Sequence, residues 1–379
     1  IDIPKDVSNA KTMYYGYPKT VHLRGYNPTI MPNGKQVEKV VQAIQESERP
    51  VILAGGGVIS AGAAEELLAF AEAARIPVTT TLMGLGGFPA DHPLFMDMPG
   101  MHGSWTANHA LLECDLLIGI GNRFDDRVTM ARIDKFATKA RIIHMDIDPA
   151  EIGKNVETYI PLVGDVKYSL QAINQKVKPA KSEAWIAQIQ EWKKQYPFTY
   201  KKDPNQLKPQ AVIEMIYRLS SEDTIVTTDV GQHQMWAAHY YKFKKPRTWI
   251  TSGGLGTMGF GFPAAIGAQI AFPDKTVISI VGDGGFQMTA QELAIAAIHN
   301  IPVKVALINN QVLGMVRQWQ ELFHSNRLSE IDLSGSPDFV KLVEAYGVKG
   351  LRATTEEEAE AAWKEALAHP GPVVVEFVV

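Results

Sequence analysis

The chain has 379 residues, beyond the size at which one hydrophobic core usually keeps growing, so two domains are expected. Hydrophobic residues make up 46% and charged residues 21%, a balance that excludes a disordered or fibrous protein. A formal net charge of −4 without any run of Lys and Arg removes the electrostatic case for nucleic acid or an anionic membrane as partner.

The opening Ile1-Asp2-Ile3-Pro4 has neither a basic nor an apolar targeting segment, and no apolar stretch reaches the roughly 20 residues needed to span a bilayer. A cytoplasmic location is expected, or a plastid or mitochondrial interior in a eukaryote. The absence of an initiating Met points to a fragment or a processed chain. Residues 1–30, with Tyr14-Tyr15-Gly16-Tyr17 and Arg24-Gly25-Tyr26, read as a connector.

From about Arg49, short β-branched runs alternate with helical stretches, the pattern of parallel sheets built through right-handed crossovers. The fold class is therefore α/β, with two doubly wound parallel-sheet domains. In the first, residues 31–178, strands are expected at 50–54, 77–81, 115–120 and 141–147, and helices at 61–74 and 105–113. The wholly apolar Leu116-Leu117-Ile118 predicts a sheet covered on both faces, and Cys114 beside it reads as a small core residue rather than a nucleophile. Residues 179–207, rich in Lys, Gln, Pro and aromatics with an amphipathic stretch from Trp185 to Tyr196, read as an interdomain linker. The second domain is 208–379, with strands at 224–228, 276–281, 303–308 and 373–378. Its helices are expected at 209–219, 262–271, 290–299, 338–346 and 356–368.

Each domain carries a glycine motif at a strand end. Ala54-Gly55-Gly56-Gly57 suits close approach of a dinucleotide, although alone it falls short of the GxGxxG fingerprint and fits a plain turn as well. In Gly121-Asn122-Arg123-Phe124-Asp125-Asp126-Arg127-Val128, Arg123 can pair bidentately with a phosphate. In the second domain Val281-Gly282-Asp283-Gly284-Gly285 ends one strand and Asn309-Asn310 ends a later one, so both face one crevice. Glycines there let backbone N–H groups approach a diphosphate, while Asp283 and Asn310 offer oxygens to a hard cation. Gly-Asp-Gly triplets are often simple turns; the 24 residues separating Gly284 from Asn309, with a helix between, favour the metal-diphosphate reading.

These motifs, with Asp229 to Trp236, Ser252 to Gly259 and Leu313 to Gln320, resemble the acetohydroxyacid synthases (acetolactate synthases) over nearly the whole chain. Members of that family are thiamine diphosphate, Mg²⁺ and FAD dependent transferases of branched-chain amino acid biosynthesis. They decarboxylate pyruvate and join the two-carbon unit to a second 2-keto acid, pyruvate or 2-ketobutyrate. The resemblance implies thiamine diphosphate contacts at Val230, Gly231, Gln232, His233, Gly256, Met258, Gly282, Asp283, Gly284, Gly285, Asn310, Val312, Leu313, Gly314 and Met315. It implies Mg²⁺ ligation by Asp283, Asn310 and the Val312 carbonyl, and catalytic or substrate-side roles for Met258, Met315, Trp319 and Arg127. Met258 also reads as a core gap-filler, and Trp319 as interface packing. Gly285 departs from the Ser that is frequent in the family.

For FAD the resemblance implies Gly55, Gly56, Gly57, Thr81, Leu82, Met101, His102, Gly121, Arg123, Asp125, Arg127, Asp146, Ile147, Asp165 and Val166, with His102 equally readable as an ordinary loop histidine. Residues 1–30 would then follow an N-terminal pyrimidine-binding domain, required in cis or in trans. A homodimer or homotetramer and a regulatory small subunit are the implied partners. The rival readings are a pyruvate oxidase or other thiamine diphosphate enzyme, and a non-catalytic cofactor-binding or assembly fragment.

Overall fold

The apolar runs form two parallel sheets in the computed structural model, which describes residues 2–203 and 206–379; Ile1 of the expected connector and Pro204 and Asn205 of the expected linker lie outside the described residues. The first sheet contains β1 (Pro50–Ala54), β2 (Val78–Thr80), β3 (Leu116–Ile120), β4 (Arg141–Asp146) and β5 (Ile160–Val163) in the order β2-β1-β3-β4-β5. The second contains β6 (Ile225–Thr228), β7 (Trp249–Thr251), β8 (Val277–Gly282), β9 (Lys304–Asn309), β10 (Lys349–Ala353) and β11 (Val373–Val378) in the order β10-β11-β9-β8-β6-β7. All pairings in both sheets are parallel.

Every residue of β1, β3, β8 and β9 is buried, as their largely apolar character suits strands covered on both faces, with Ser279, Lys304 and Asn309 the polar exceptions. Side chains still alternate between two cores: Ile52 and Ala54 of β1 join one cluster, Val51 and Leu53 the other. One buried cluster runs from Val40 and Phe70 through Leu85 and Phe88 to Phe243, Trp249 and Trp363, so the two halves share apolar core. Polar contacts reinforce the junction. Trp249 Nε1 donates to Leu82 O at 3.0 Å, Ala90 N to Phe243 O at 3.1 Å, and Arg247 to Ile59 O at 3.2 Å. Gly86, at φ +80°, lies so close to the Lys245 carbonyl that a side chain there would strike it.

Several elements differ from the sequence expectation for identifiable reasons. Helix Gly34–Glu46, absent from that reading, is capped by Asn33 and buries Val37, Val40, Val41 and Ile44 at helical spacing. The expected helix 61–74 begins only at Ala64 and runs to Ala74, because Gly62, at φ +62°, separates it from a short preceding helix, Gly56–Ser60. Helix Gln232–Tyr240 shows little apolar periodicity because its buried face includes His233, Gln234 and His239. Within the expected linker, helix Glu183–Gln195 covers the first sheet: Trp185 and Ile189 enter its core and Trp185 Nε1 donates to Pro50 O at 3.2 Å. Trp105 stacks on Tyr196 with centroids 3.9 Å apart, holding that helix's end. Cys114 is fully buried, and burial pushes its thiol pKa up, as befits an unreactive core residue. No helix among the described residues is long and apolar enough to cross a membrane.

The glycine loop after β1 is held by the end of β3, where Gly57 N donates to Gly121 O at 2.9 Å. A Cβ on Gly57 would lie 2.6 Å from Gly121 Cα, a backbone atom with no free rotamer to retreat into. Gly57→Ala should therefore destabilise the chain by about 1–3 kcal/mol, the range for overpacking. A chemical-denaturation midpoint unchanged from wild type would contradict this.

Candidate functional site

Strand β6 leads out to β7 on one side and, after the next crossover, to β8 on the other. The chain therefore diverges at the carboxyl ends of β6 and β8, which is where an open α/β sheet leaves its crevice. Turns after β6, β8 and β9 converge there and lead into helices Gln232–Tyr240, Asp283–Met288 and Gly314–Phe323. Val230, Gly231, Gln232, His233, Met258, Gly282, Asp283, Gly284, Gly285, Asn310, Val312, Leu313, Gly314 and Met315 line one cleft. Gly256 stands off it, on an exposed loop, where a Cβ would come 3.9 Å from Val230 Cγ1.

The lining is assembled by close backbone approach. The His233 ring lies against Gly231 and Gly282, and a Cβ on Gly282 would meet its Nδ1 at 2.8 Å. Gly231, at φ +150°, adopts a conformation essentially restricted to glycine. Burial pulls the His233 pKa down to about 4, against the Asp229 carboxylate and a hydrogen bond to the Asp229 backbone, so the ring is neutral near pH 7. Its Nε2 is buried without a partner.

Asp283 is 2% exposed and its Oδ2 has no hydrogen-bond partner. Burial raises its pKa to about 6, opposed by backbone N–H groups of Gly284, Asp283 and Gln311. An anionic oxygen left unpaired in a dry site is costly unless a cation completes it. Asn310 and Val312 line the same cleft, with Asn310 Oδ1 accepting from Val312 N at 3.2 Å. Among the described residues no group of three or more His, Cys, Asp or Glu is arranged for a metal ion. One carboxylate, one amide and one carbonyl suit Mg²⁺, which takes its remaining oxygens from phosphate and water.

Asp229, quoted in the sequence reading only as part of a motif, is the residue that organises the cleft's other wall. It is fully buried, and its carboxylate accepts from Val230 N at 2.8 Å, Gly259 N at 3.0 Å and Gly261 N at 3.1 Å. Trp236, Ile308 and Val316, also missed, complete the lining. An acidic residue at a strand end, four positions before a buried histidine, was the available signal for Asp229. Trp319 is not in this cleft. With Met315, Val316, Gln320, His324 and Arg327 it lines an adjoining open groove of about 620 Å³.

The residues singled out in the first half follow the carboxyl ends of its strands: Gly55 to Gly57 after β1, Thr81 and Leu82 after β2, Gly121 and Arg123 after β3, Ile147 after β4 and Asp165 after β5, with Asp146 closing β4. Asp125 caps helix Asp126–Thr129, accepting from Val128 N at 3.3 Å, and meets Arg123 at 3.5 Å. Asp165 caps helix Val166–Asn174, and Val166 is buried in the core. Asp146 accepts from Asp148 N at 2.9 Å, and its pKa is raised by burial. Met101 N donates to Arg127 O at 3.4 Å, and burial, with Arg127 nearby, lowers the His102 pKa. Arg127 thus lies with this first-half group, apart from Met258, Met315 and Trp319. The two regions meet at Met83, which abuts both Gly56 and Gly253, with Leu82 also against Gly253.

Residues 37–173 match the family described as thiamine pyrophosphate enzyme, central domain, and residues 229–377 match thiamine pyrophosphate enzyme, C-terminal TPP binding domain. The chain is 50% identical over 392 residues to the probable acetolactate synthase large subunit of Methanocaldococcus jannaschii, covering 100% of this chain and 66% of that one. It is 49% identical over 390 residues to the acetolactate synthase large subunit of Corynebacterium glutamicum, 100% of this chain and 62% of the other. For the Haemophilus influenzae large subunit the identity is 44% over 373 residues, 97% and 65% respectively. The chain thus spans a little under two thirds of the length of these relatives.

The buried Asp283 carboxyl makes the metal-free chain pH sensitive. Its folded pKa of about 6 lies above the ordinary 3.8, so the folded state binds more protons between those values. The cost of burying the charge is fully present above about pH 6 and disappears below about 3.8. Asp283→Asn should accordingly melt higher than wild type at pH 7.5 without added metal, the gap closing as pH approaches 4. A gap that does not change with pH would refute this assignment.

Proposed function

From the premise that the chain belongs to the thiamine pyrophosphate enzyme family, we propose that it is the flavin-binding and diphosphate-binding part of an acetolactate synthase large subunit. The observation that carries this reading is the unpartnered Asp283 Oδ2 in a glycine-rich cleft that Asn310 also lines.

In this proposal Asp283, Asn310 and the Val312 carbonyl would hold Mg²⁺ beside the diphosphate of thiamine diphosphate, in the cleft that all three residues line. Gly231, Gln232, Gly284 and Gly285 line the cleft at helix starts, where partial positive charge collects, so their backbone N–H groups would serve that diphosphate. Neutral His233 offers Nε2 as a hydrogen-bonding group rather than as a charge. Met258, whose Cε lies 3.7 Å from where a Gly284 Cβ would stand, would support the cofactor from its apolar side. Bound thiamine diphosphate supplies the acyl-anion chemistry that no side chain provides.

The remaining work belongs to the protein. Met315 lines both the cleft and the adjoining groove, so it stands between the cofactor and the space that Trp319 borders. We assign that groove to the acceptor 2-keto acid, pyruvate or 2-ketobutyrate, with pyruvate as the donor that loses CO₂. Arg327, lining the same space, is a cation suited to the acceptor carboxylate. Apolar Met315, Val316 and Trp319 would favour carboligation over protonation of the donor unit once this open groove is covered and water leaves it.

FAD is assigned to the strand ends of the first half. Arg123 supplies a cation for its phosphates and Asp146 an acceptor for ribose hydroxyls, while Met83, Met101 and Ile147 expose apolar surface there. A pyrimidine-binding domain, in cis or in trans, and association into a dimer or tetramer complete the site. The proposed location is cytoplasmic or organellar.

Thiamine diphosphate with Mg²⁺ should stabilise the chain by about 2.7 kcal/mol at a hundred times its Kd, and Asp283→Asn should abolish that shift. With FAD added, acetolactate should form from pyruvate once a pyrimidine-binding domain is present. Absence of both the thermal shift and product after complementation would reject the proposal.

A further inference from the structure

Behind Asn310 lies a buried polar chain that the cofactor assignment does not use. Asn309 is 6% exposed and faces away from the cleft, where its Nδ2 donates to Glu376 Oε1 at 2.7 Å. Glu376 is on β11, two residues before Val378, which pairs with Asn309 in the sheet; directly opposite on β10 stands Arg352. Arg352 Nε donates to Glu376 Oε2 at 2.6 Å, and Arg352 Nη2 to Asp338 Oδ1 at 2.7 Å. Asp338 in turn caps helix Phe339–Ala345. Both oxygens of a carboxylate 4% exposed are thus committed, one to a cation and one to an amide.

The amide transmits the arrangement. An asparagine can present either its oxygen or its nitrogen in a given direction. A carboxylate accepts only, so Glu376 forces Asn309 to turn Nδ2 toward β11 and leaves Oδ1 on the other side. That Oδ1 accepts from Gln311 N at 3.1 Å. Gln311 is held at φ +56°, a left-handed conformation that a non-glycine residue keeps only when its surroundings enforce it. The Gln311 N–H also faces the Asp283 carboxylate. The next residues on either side of Gln311 are Asn310 and Val312, and Leu333 N closes the turn on Gln311 O at 2.9 Å.

We propose that Glu376 is a positioning residue for the divalent cation: by fixing the Asn309 amide it holds the Gln311 turn that presents Asn310 and the Val312 carbonyl opposite Asp283. The inference rests on the metal-diphosphate reading of the cleft and deepens it. Glu376 touches neither cation nor cofactor. Beside its like-charge effect on Asp283, it acts through one hydrogen-bonded amide and one strained turn, the kind of support whose loss in metal sites costs 10–100-fold in affinity.

The test is titration of Mg²⁺, followed by calorimetry, into the full chain saturated with thiamine diphosphate, with Asp283→Asn as the control that removes a ligand. Glu376→Gln keeps the shape of the side chain but can turn an N–H toward Asn309; it should raise the Mg²⁺ Kd at least tenfold. Asn309→Asp sets a carboxylate against Glu376 and should weaken Mg²⁺ as well, although it adds negative charge near the site. The swap Glu376→Gln with Asn309→Asp restores donor to acceptor and should return the Kd to within about threefold of wild type, a coupling that a double-mutant cycle measures.

If Asn309→Asp tightens Mg²⁺ binding, charge alone governs the site and the positioning role is overturned. If both single variants bind Mg²⁺ as wild type does while Asp283→Asn does not, the inference fails and the cleft assignment stands. If wild type itself takes up no Mg²⁺, both fail. Should Glu376→Gln not fold, weakening in Asn309→Asp with recovery in the swap upholds the proposal, and any other pattern overturns it.

Discussion

In an all-parallel sheet every strand ends on the same edge, so its turns, its free backbone groups and the starts of its following helices all gather there. Both halves of this protein are governed by that constraint. Each begins with a strand that sends the chain outward and then back to its other side, giving β2-β1-β3-β4 in one sheet and β7-β6-β8-β9 in the other. Glycines occupy the resulting switch points for the same steric reason. At Gly57 and Gly121, and again at Gly231 and Gly282, another group lies where a side chain would need to be. The two candidate ligand regions are therefore built on one topological plan, although their sequences show no repeat.

Two buried acids in the second half show how placement separates support from ligation. Asp229 follows β6 and is satisfied by three backbone N–H groups. Asp283 follows β8 and keeps one oxygen unpaired. A buried group without its partner costs roughly 1–3 kcal/mol, and more when charged. The first acid can be explained entirely by the protein around it; the second calls for something that the protein does not contain. Composition and motif alone do not distinguish them, since both are aspartates followed closely by glycine.

Much of the architecture was legible in the sequence because its signals are local. The apolar runs of β1, β3, β8 and β11 announce buried strands, and Gly-Asp-Gly-Gly followed by Asn-Asn identifies two strand ends facing one crevice. What stayed hidden depends on contacts between distant segments. Helix Gln232–Tyr240 buries polar side chains and so lacks an apolar stripe. The role of Asp229 rests on N–H groups some 30 residues away, at Gly259 and Gly261. Asn309 and Asn310 look alike in sequence, yet one faces the cleft and its neighbour turns to Glu376, 67 residues later. Trp185, read as part of a linker, is core to the first sheet because its indole reaches Pro50, 135 residues earlier.

The junction between the halves also constrains how such chains can be recombined. Gly86 sits against the Lys245 carbonyl with no room for a Cβ, and the Trp249 indole is anchored on Leu82. A hybrid that takes one half from a relative inherits only one side of each contact. Crossovers should succeed where the donor keeps glycine opposite the 245 carbonyl and an indole opposite the 82 carbonyl, and a library of hybrids screened for folding would sort along those two positions more sharply than along overall sequence identity.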